Sequence, residues 1–115
     1  SYTDQPLEFR ISEIIREKIL LNYQKEIPYC SEVEIESFVE EAELIRIRAL
    51  IHVTRESQKG IIIGHKGEKL KKTGREARID MEDFFGKKVF LELYVKVTKD
   101  WREKPRELKR FGYRS

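Results

Sequence analysis

Four residues, Gly64-His65-Lys66-Gly67, carry the chemistry most readily read from this chain. A bend enclosed by glycines brings its backbone close to another chain, because no Cβ blocks the approach and positive φ costs little. His65 and Lys66 add donors and positive charge between them. Helix-forming sequence follows at once, so the first N–H groups of that helix and its positive dipole end point at whatever lies over the bend. Such an arrangement suits an anion, phosphate above all. The apolar run Ile61-Ile62-Ile63 leads into it, and Lys69, Lys71, Lys72, Arg75 and Arg78 follow it.

Bond-breaking chemistry finds less support. Neither a nucleophile beside a base nor a pair of carboxylates stands at recognisable spacing, so no catalytic residue is assigned. From Gly60 the phosphate-binding pattern Gly-x-x-x-x-Gly-Lys-Ser/Thr fails, because position 65 is histidine. Nucleotide hydrolysis and its Mg²⁺ ligands are therefore not expected in this chain. His52 reads as an exposed strand residue and not a metal ligand, since no second His or Cys stands at ligand spacing. The single cysteine, Cys30, excludes an internal disulfide and favours a reducing compartment.

At 115 residues the chain fits one domain with one modest core. Charged residues make up 39% of it and the net charge is +3, but the distribution says more than the total. Residues 27–45 hold six glutamates and no Lys or Arg, whereas residues 46–80 hold ten Lys or Arg against four acids. A chain so divided suits a polyanion on one side and repels it on the other. No apolar run approaches the roughly 20 residues a membrane-spanning helix needs. The start, Ser1 to Pro6, reads as the end of a linker and as neither a signal nor a transit peptide.

The elements that must position the bend follow from periodicity. Asp4 or Gln5 caps a first helix with Pro6 in its opening turn. Leu7, Ile11, Ile14, Ile15 and Leu21 form its stripe with Ile19 at the flank, and Pro28 is expected to end it near Glu26. The period then changes to two: Val33, Ile35, Ser37 and Val39 share one face, Glu32, Glu34, Glu36 and Phe38 the other. After an acidic turn at Glu40 to Ala42, a second strand puts Ile45, Ile47, Ala49, Ile51 and Val53 inward and Arg46, Arg48, Leu50 and His52 outward. Opposed rows of glutamate and arginine predict the pairs Glu36–Arg46 and Glu34–Arg48.

Ser57 caps a short helix through Ile63; after the bend a longer helix runs to Phe85 and stops at Gly86. Its buried stripe is Leu70, Thr73, Gly74, Ala77, Met81, Phe84 and Phe85, in which Gly74 and Ala77 imply close approach to another element. A third strand turns Val89, Leu91, Leu93, Val95 and Val97 inward. Trp101 then serves as a core-edge anchor, with base stacking as its alternative role, and Pro105 opens a short helix with Leu108 as its contact. A hairpin makes the first two strands antiparallel, and the helical crossover lets the third lie parallel beside the second. The expected fold is α/β, a two-layer sandwich of the α+β kind: order α-β-β-α-α-β-α, with a three-stranded mixed sheet and helices on one face.

This order, with Ile-Ile-Ile-Gly-His-Lys-Gly at residues 61–67 between two helices, resembles the type II KH domain. Ser57 to Gly67, Glu76-Ala77-Arg78, Gly86 to Leu93, Val95-Lys96-Val97 and Lys99-Asp100-Trp101-Arg102 look like the C-terminal domain of the Era family of bacterial GTPases. Glu13 to Ile19 and Glu26-Ile27-Pro28-Tyr29 fit the same family. The transcription factor NusA also carries such a domain, but the Lys-Asp-Trp-Arg ending favours Era. One departure is His65, where the family most often has Lys; it still donates a hydrogen bond, but it does not assure a fixed charge at neutral pH.

The resemblance implies residues 1–6 as a linker end, 7–99 as the type II KH domain and 100–115 as a C-terminal extension with a short helix. It implies a parent with a GTPase domain that uses GTP and Mg²⁺, while this part needs no cofactor. The implied partners are the single-stranded 3′ end of 16S ribosomal RNA, the 30S subunit and the parent GTPase domain. The implied setting is small-subunit biogenesis by a monomer in the cytoplasm, peripheral at the inner face of the cell membrane. A KH loop clamps about four nucleotides. Gly64, His65, Lys66 and Gly67 would hold phosphates, Lys69, Lys72 and Arg75 extend the charged track, and Ile62, Ile63 and Leu70 wall a groove for the bases, with plain core packing the alternative for Ile62 and Ile63. The competing expectation is a protein-docking surface on the open sheet face, at Phe38, Leu50, Phe90 and Tyr94.

Overall fold

The computed structural model describes residues 5–99. The expected cap at Asp4, the Trp101 anchor and the C-terminal helix around Leu108 lie outside them. The order is α1 (Gln5–Asn22), α2 (Ile27–Cys30), β1 (Glu32–Glu40), β2 (Leu44–Val53), α3 (Glu56–Ile63), a 3₁₀ turn (His65–Gly67), α4 (Glu68–Phe85) and β3 (Lys88–Val97). The strands form one mixed sheet in the order β1-β2-β3. β1 and β2 are antiparallel, β2 and β3 parallel, as the crossover requires.

The core lies between the helices and one face of that sheet. Ile45, Ile47, Ala49, Ile51 and Val53 are all buried, so the alternation in β2 reads true for its inward set. Ile11, Ile15 and Ile19 of α1 and Thr73, Ala77 and Met81 of α4 close over them. Gly74 is where α4 meets β3: a Cβ built there stands 3.4 Å from Leu93 Cδ1, the close approach its glycine implied.

Three expectations about the elements are corrected. First, α1 stops at Asn22; Lys25 takes a positive φ of 62°, and Pro28 does not end a helix but sits in the first turn of α2, where its missing N–H costs nothing. Within α1, Ile19 is central and Leu21 is 68% exposed, since two residues turn it about 200° away from Ile19. Second, a bulge between Ile35 and Ser37 leaves Glu36 as an extra residue in β1. The bulge exchanges the two faces beyond it, so Phe38 turns inward against Phe85, with ring centroids 5.9 Å apart, and Val39 turns outward. Third, Phe84 is 48% exposed, off the stripe it was assigned to.

The bulge also resets the charge pairs. Arg48 reaches Glu92 on β3 at 3.3 Å and Glu36 at 3.9 Å, Arg46 pairs with Glu41 at 3.2 Å, and neither expected pair forms. Glu34 instead meets His52. That histidine is 0% exposed, against the expectation of an exposed strand residue. Its Nε2 lies 2.8 Å from Glu34 Oε1 and its Nδ1 2.7 Å from Thr98 Oγ1, which ties β1, β2 and the end of β3 together.

Candidate nucleic-acid interface

The bend is built from both of its sides. α3 starts with Gln58 Oε1 accepting the backbone N–H groups of Thr54 and Arg55, each at 3.0 Å, so Arg55 takes the cap position expected of Ser57. Gln58 is anchored in turn, donating to Glu26 at 2.8 Å. α3 ends when the Gly64 amide bonds back to Gly60 O at 2.9 Å. Gly64 then adopts φ 76° and ψ −177°, a conformation essentially restricted to glycine. A Cβ there would stand 2.7 Å from Lys69 Cβ, so the first turn of α4 packs directly on it.

Beyond Gly64 the chain makes one 3₁₀ turn. The Gly67 amide bonds Gly64 O at 3.2 Å and the Glu68 amide bonds His65 O. The first N–H groups of the turn, those of His65 and Lys66, have no partner within it. Lys66 holds a positive φ of 54°, uncommon for a residue with a side chain. Gly67, left-handed at φ 74°, then caps α4. The side chains of His65 and Lys66 are exposed. The bend is therefore open, cationic and set at the positive end of an 18-residue helix.

Behind it stands a polar network absent from the sequence reading. Tyr23, buried at the end of α1, donates its hydroxyl to Ile62 O, one of the last carbonyls of α3. Thr73 Oγ1 donates to that hydroxyl at 3.4 Å, and Asn22 donates to Thr73 at 3.2 Å and to Glu76 at 2.9 Å. Lys69 Nζ lies 5.0 Å from the centroid of the Tyr23 ring, a cation–π geometry. Burial holds the Tyr23 hydroxyl above its ordinary pKa, with the Thr73 hydrogen bond acting the other way. The tyrosine was missed because only the tertiary fold brings residue 23 to residue 62.

The assigned residues are not all on one surface. Gly64, His65, Lys66 and Gly67 come together in the bend. Ile62 is wholly buried, so its side chain belongs to the core and not to a groove wall. Ile63 and Leu70 are half-buried, while the neighbouring Ile61, not assigned, is 51% exposed. Lys69 lies on the flank of α4 towards α1, as does Glu76. Lys72, between them in helical register, shares that flank and is exposed. Arg75 is also exposed, two residues and so about 200° round from the buried Thr73. The opposite flank, with Gly74, meets β3. Among the described residues β3 pairs only with β2, so its outer backbone edge is open beside α3 and α4.

The inward turn of Phe38 removes it from the open sheet face. What remains are Phe90 and Tyr94, exposed beneath Arg46 and Arg48 at 5.7 and 5.8 Å, and half-buried Leu50. No group of metal-ligating side chains occurs among the described residues, and no helix there is long and apolar enough to cross a membrane.

Residues 26–102 match the KH domain family. The chain is 58% identical over 113 residues to a GTPase Era of Syntrophus aciditrophicus (strain SB), the match covering 96% of this chain and 37% of the relative. It is 53% identical to a GTPase Era of Geotalea uraniireducens (strain Rf4), over 96% of this chain and 38% of that one. Among solved structures, an Aquifex aeolicus Era variant bound to GDP and AlF4⁻ superposes with a TM-score of 0.90 at 40% identity, over 98% of this chain and 38% of that one. An Era in complex with MgGDPNP and nucleotides 1506–1542 of 16S ribosomal RNA gives 0.90 at 39% identity, over 97% and 38%. The chain thus spans under two-fifths of the relatives it matches. It belongs to the KH domain family, in the form that makes up the C-terminal part of Era GTPases.

Proposed function

We propose that this chain is a single-stranded RNA-binding module. It takes the 3′ end of 16S ribosomal RNA during small-subunit biogenesis, as part of a cytoplasmic GTPase acting on the 30S subunit. One observation carries the reading: the Gly64–Gly67 bend is open, cationic and placed at the start of α4. The similar Era bound to 16S ribosomal RNA nucleotides supports the choice of ligand. Phosphates lie over the amides of His65 and Lys66, and the two side chains add charge-assisted contacts. Bases lie against Ile63 and Leu70, where the open edge of β3 offers backbone donors and acceptors to their edges. Lys72 and Arg75 contribute through the longer-range field, and Lys69 more closely from its seat on Tyr23.

The test is titration of the chain with a 16S 3′-end oligonucleotide and a scrambled one at two salt concentrations. The native oligonucleotide should bind more tightly, with log affinity falling against log salt by roughly −0.7 per phosphate contacted. His65→Asp with Lys66→Asp should reduce affinity more than tenfold at an unchanged thermal midpoint. Full affinity in that variant would place the site elsewhere.

A further inference from the structure

The far end of α4 carries a second surface with the opposite charge. A groove runs along α1 beside α2 and the end of α4; its apolar floor is Ile14, Leu20 and Phe84, with Pro28 at the α2 side. Leu20 and Phe84 are 55% and 48% exposed, large side chains of a kind that folding normally covers. Glu13, Glu17, Asp80 and Asp83 stand around that floor. Glu17 and Asp80 share Lys18, at 3.4 and 2.6 Å, whereas Glu13 and Asp83 make no ion pair among the described residues. Of the two basic residues of the groove, Arg16 pairs with buried Glu32 at 3.2 Å, and Arg10 lies 5.4 Å over the Phe84 ring with its charge retained, so four carboxylates face two guanidinium groups and the lining stays net negative.

From these observations we infer that the groove docks a cationic amphipathic helix of a protein partner. Charge decides the class. The uncompensated carboxylates repel a phosphate backbone and attract Lys and Arg, while the exposed Leu20 and Phe84 call for apolar anchors that a nucleic acid backbone lacks. The floor spans Ile14 to Leu20, about two helical turns, which matches anchors at helical spacing on a short helix. Fourteen residues of α4 separate Lys69 from Asp83, roughly 21 Å along the axis. The protein partner and an anion at the bend are therefore held at the same time, and binding of one does not displace the other. This inference stands apart from the RNA reading.

The full chain, labelled with ¹⁵N, is titrated with an amphipathic Leu–Lys helix about four turns long. Its controls are a scrambled peptide of equal charge and a peptide with Glu in place of Lys. Amide shifts should cluster at Glu13, Glu17, Leu20 and Phe84, the scrambled peptide should bind at least tenfold more weakly, and the Glu peptide should not bind. Glu13→Lys with Asp83→Lys should abolish peptide binding and leave the thermal midpoint and oligonucleotide affinity unchanged. Three outcomes would overturn the inference: equal binding of the scrambled peptide, which needs only bulk charge; undiminished peptide affinity in the charge-reversed chain; and a concentration-dependent dimer whose shifts map to the groove, which makes a second copy the occupant.

Discussion

At the scale of single residues, the two glycines of the bend are not equivalent. Gly64 lies in a backbone region that side chains hardly enter, and its missing Cβ is where Lys69 packs, at 2.7 Å. Gly67 is left-handed with open space around it. Gly64→Ala should therefore cost about 1–3 kcal/mol in urea unfolding and open the bend. Gly67→Asn should cost well under half as much, because Asn tolerates the left-handed region. Equal losses would show that backbone conformation alone, and not the contact with Lys69, sets the requirement. Tyr23→Phe keeps the ring under Lys69 but strips the Ile62 carbonyl of its donor, and about 1–3 kcal/mol of stability should go with it. An unchanged unfolding midpoint would mean that water replaces the hydroxyl. The bend was legible because its signal is local, four consecutive residues with glycine at both ends. Tyr23 and His52 were not: each gains its role from partners 39 and 18 residues away.

Among the elements, legibility followed regularity. β2 and β3 alternate without interruption, so side-chain period told their inward faces, although it did not show that Glu34 and Thr98 bury the outward-facing His52. β1 begins with the same pattern, but the extra residue at Glu36 reverses the sense, and no feature of residues 32–40 marks it. Only the register with β2, where Ile35 faces Ala49 and Ser37 faces Arg48, reveals the shift. The stripe of α4 was read correctly at Thr73, Gly74, Ala77 and Met81, and Gly74 gives a measurable consequence. A methyl group there would meet Leu93 at 3.4 Å, ordinary contact with the end of a flexible side chain. Helix propensity favours Ala over Gly by roughly 1 kcal/mol. Gly74→Ala should then stabilise the fold by up to about 1 kcal/mol, whereas Gly74→Leu overfills the seam and should cost about 1–3 kcal/mol. A loss on Gly74→Ala would mean that the α4–β3 spacing is set more tightly than van der Waals contact demands.

Across the molecule, the segregation of charge read from residues 27–45 and 46–80 survives folding in altered form. The glutamates of β1 are answered from several elements: Glu32 by Arg16 of α1, Glu34 by His52 and Glu36 by Arg48 on β2, and Glu40 by Lys87 ahead of β3. Lys69, Lys71, Lys72 and Arg75 stay exposed in the first half of α4, beside Glu68 and Glu76, while Asp80, Glu82 and Asp83 collect towards its far end. One of those acids, Glu82, joins the two halves of the crossover: it accepts the backbone N–H of Val89 at 3.0 Å, at the start of β3, and pairs with Arg78 at 3.1 Å. The Val89 hydrogen bond first, with Arg78 adding to it against some desolvation, holds its carboxyl below the ordinary 4.5. A depressed folded pKa contributes stability above the unfolded value, and that stability is lost as pH falls through the folded one. Glu82→Gln keeps an acceptor oxygen but cannot ionise, so it should unfold at lower urea than the parent near neutral pH. The gap between the two midpoints should close as pH is lowered past 4.5. A gap that persists in acid would assign the role of Glu82 to shape and not to charge.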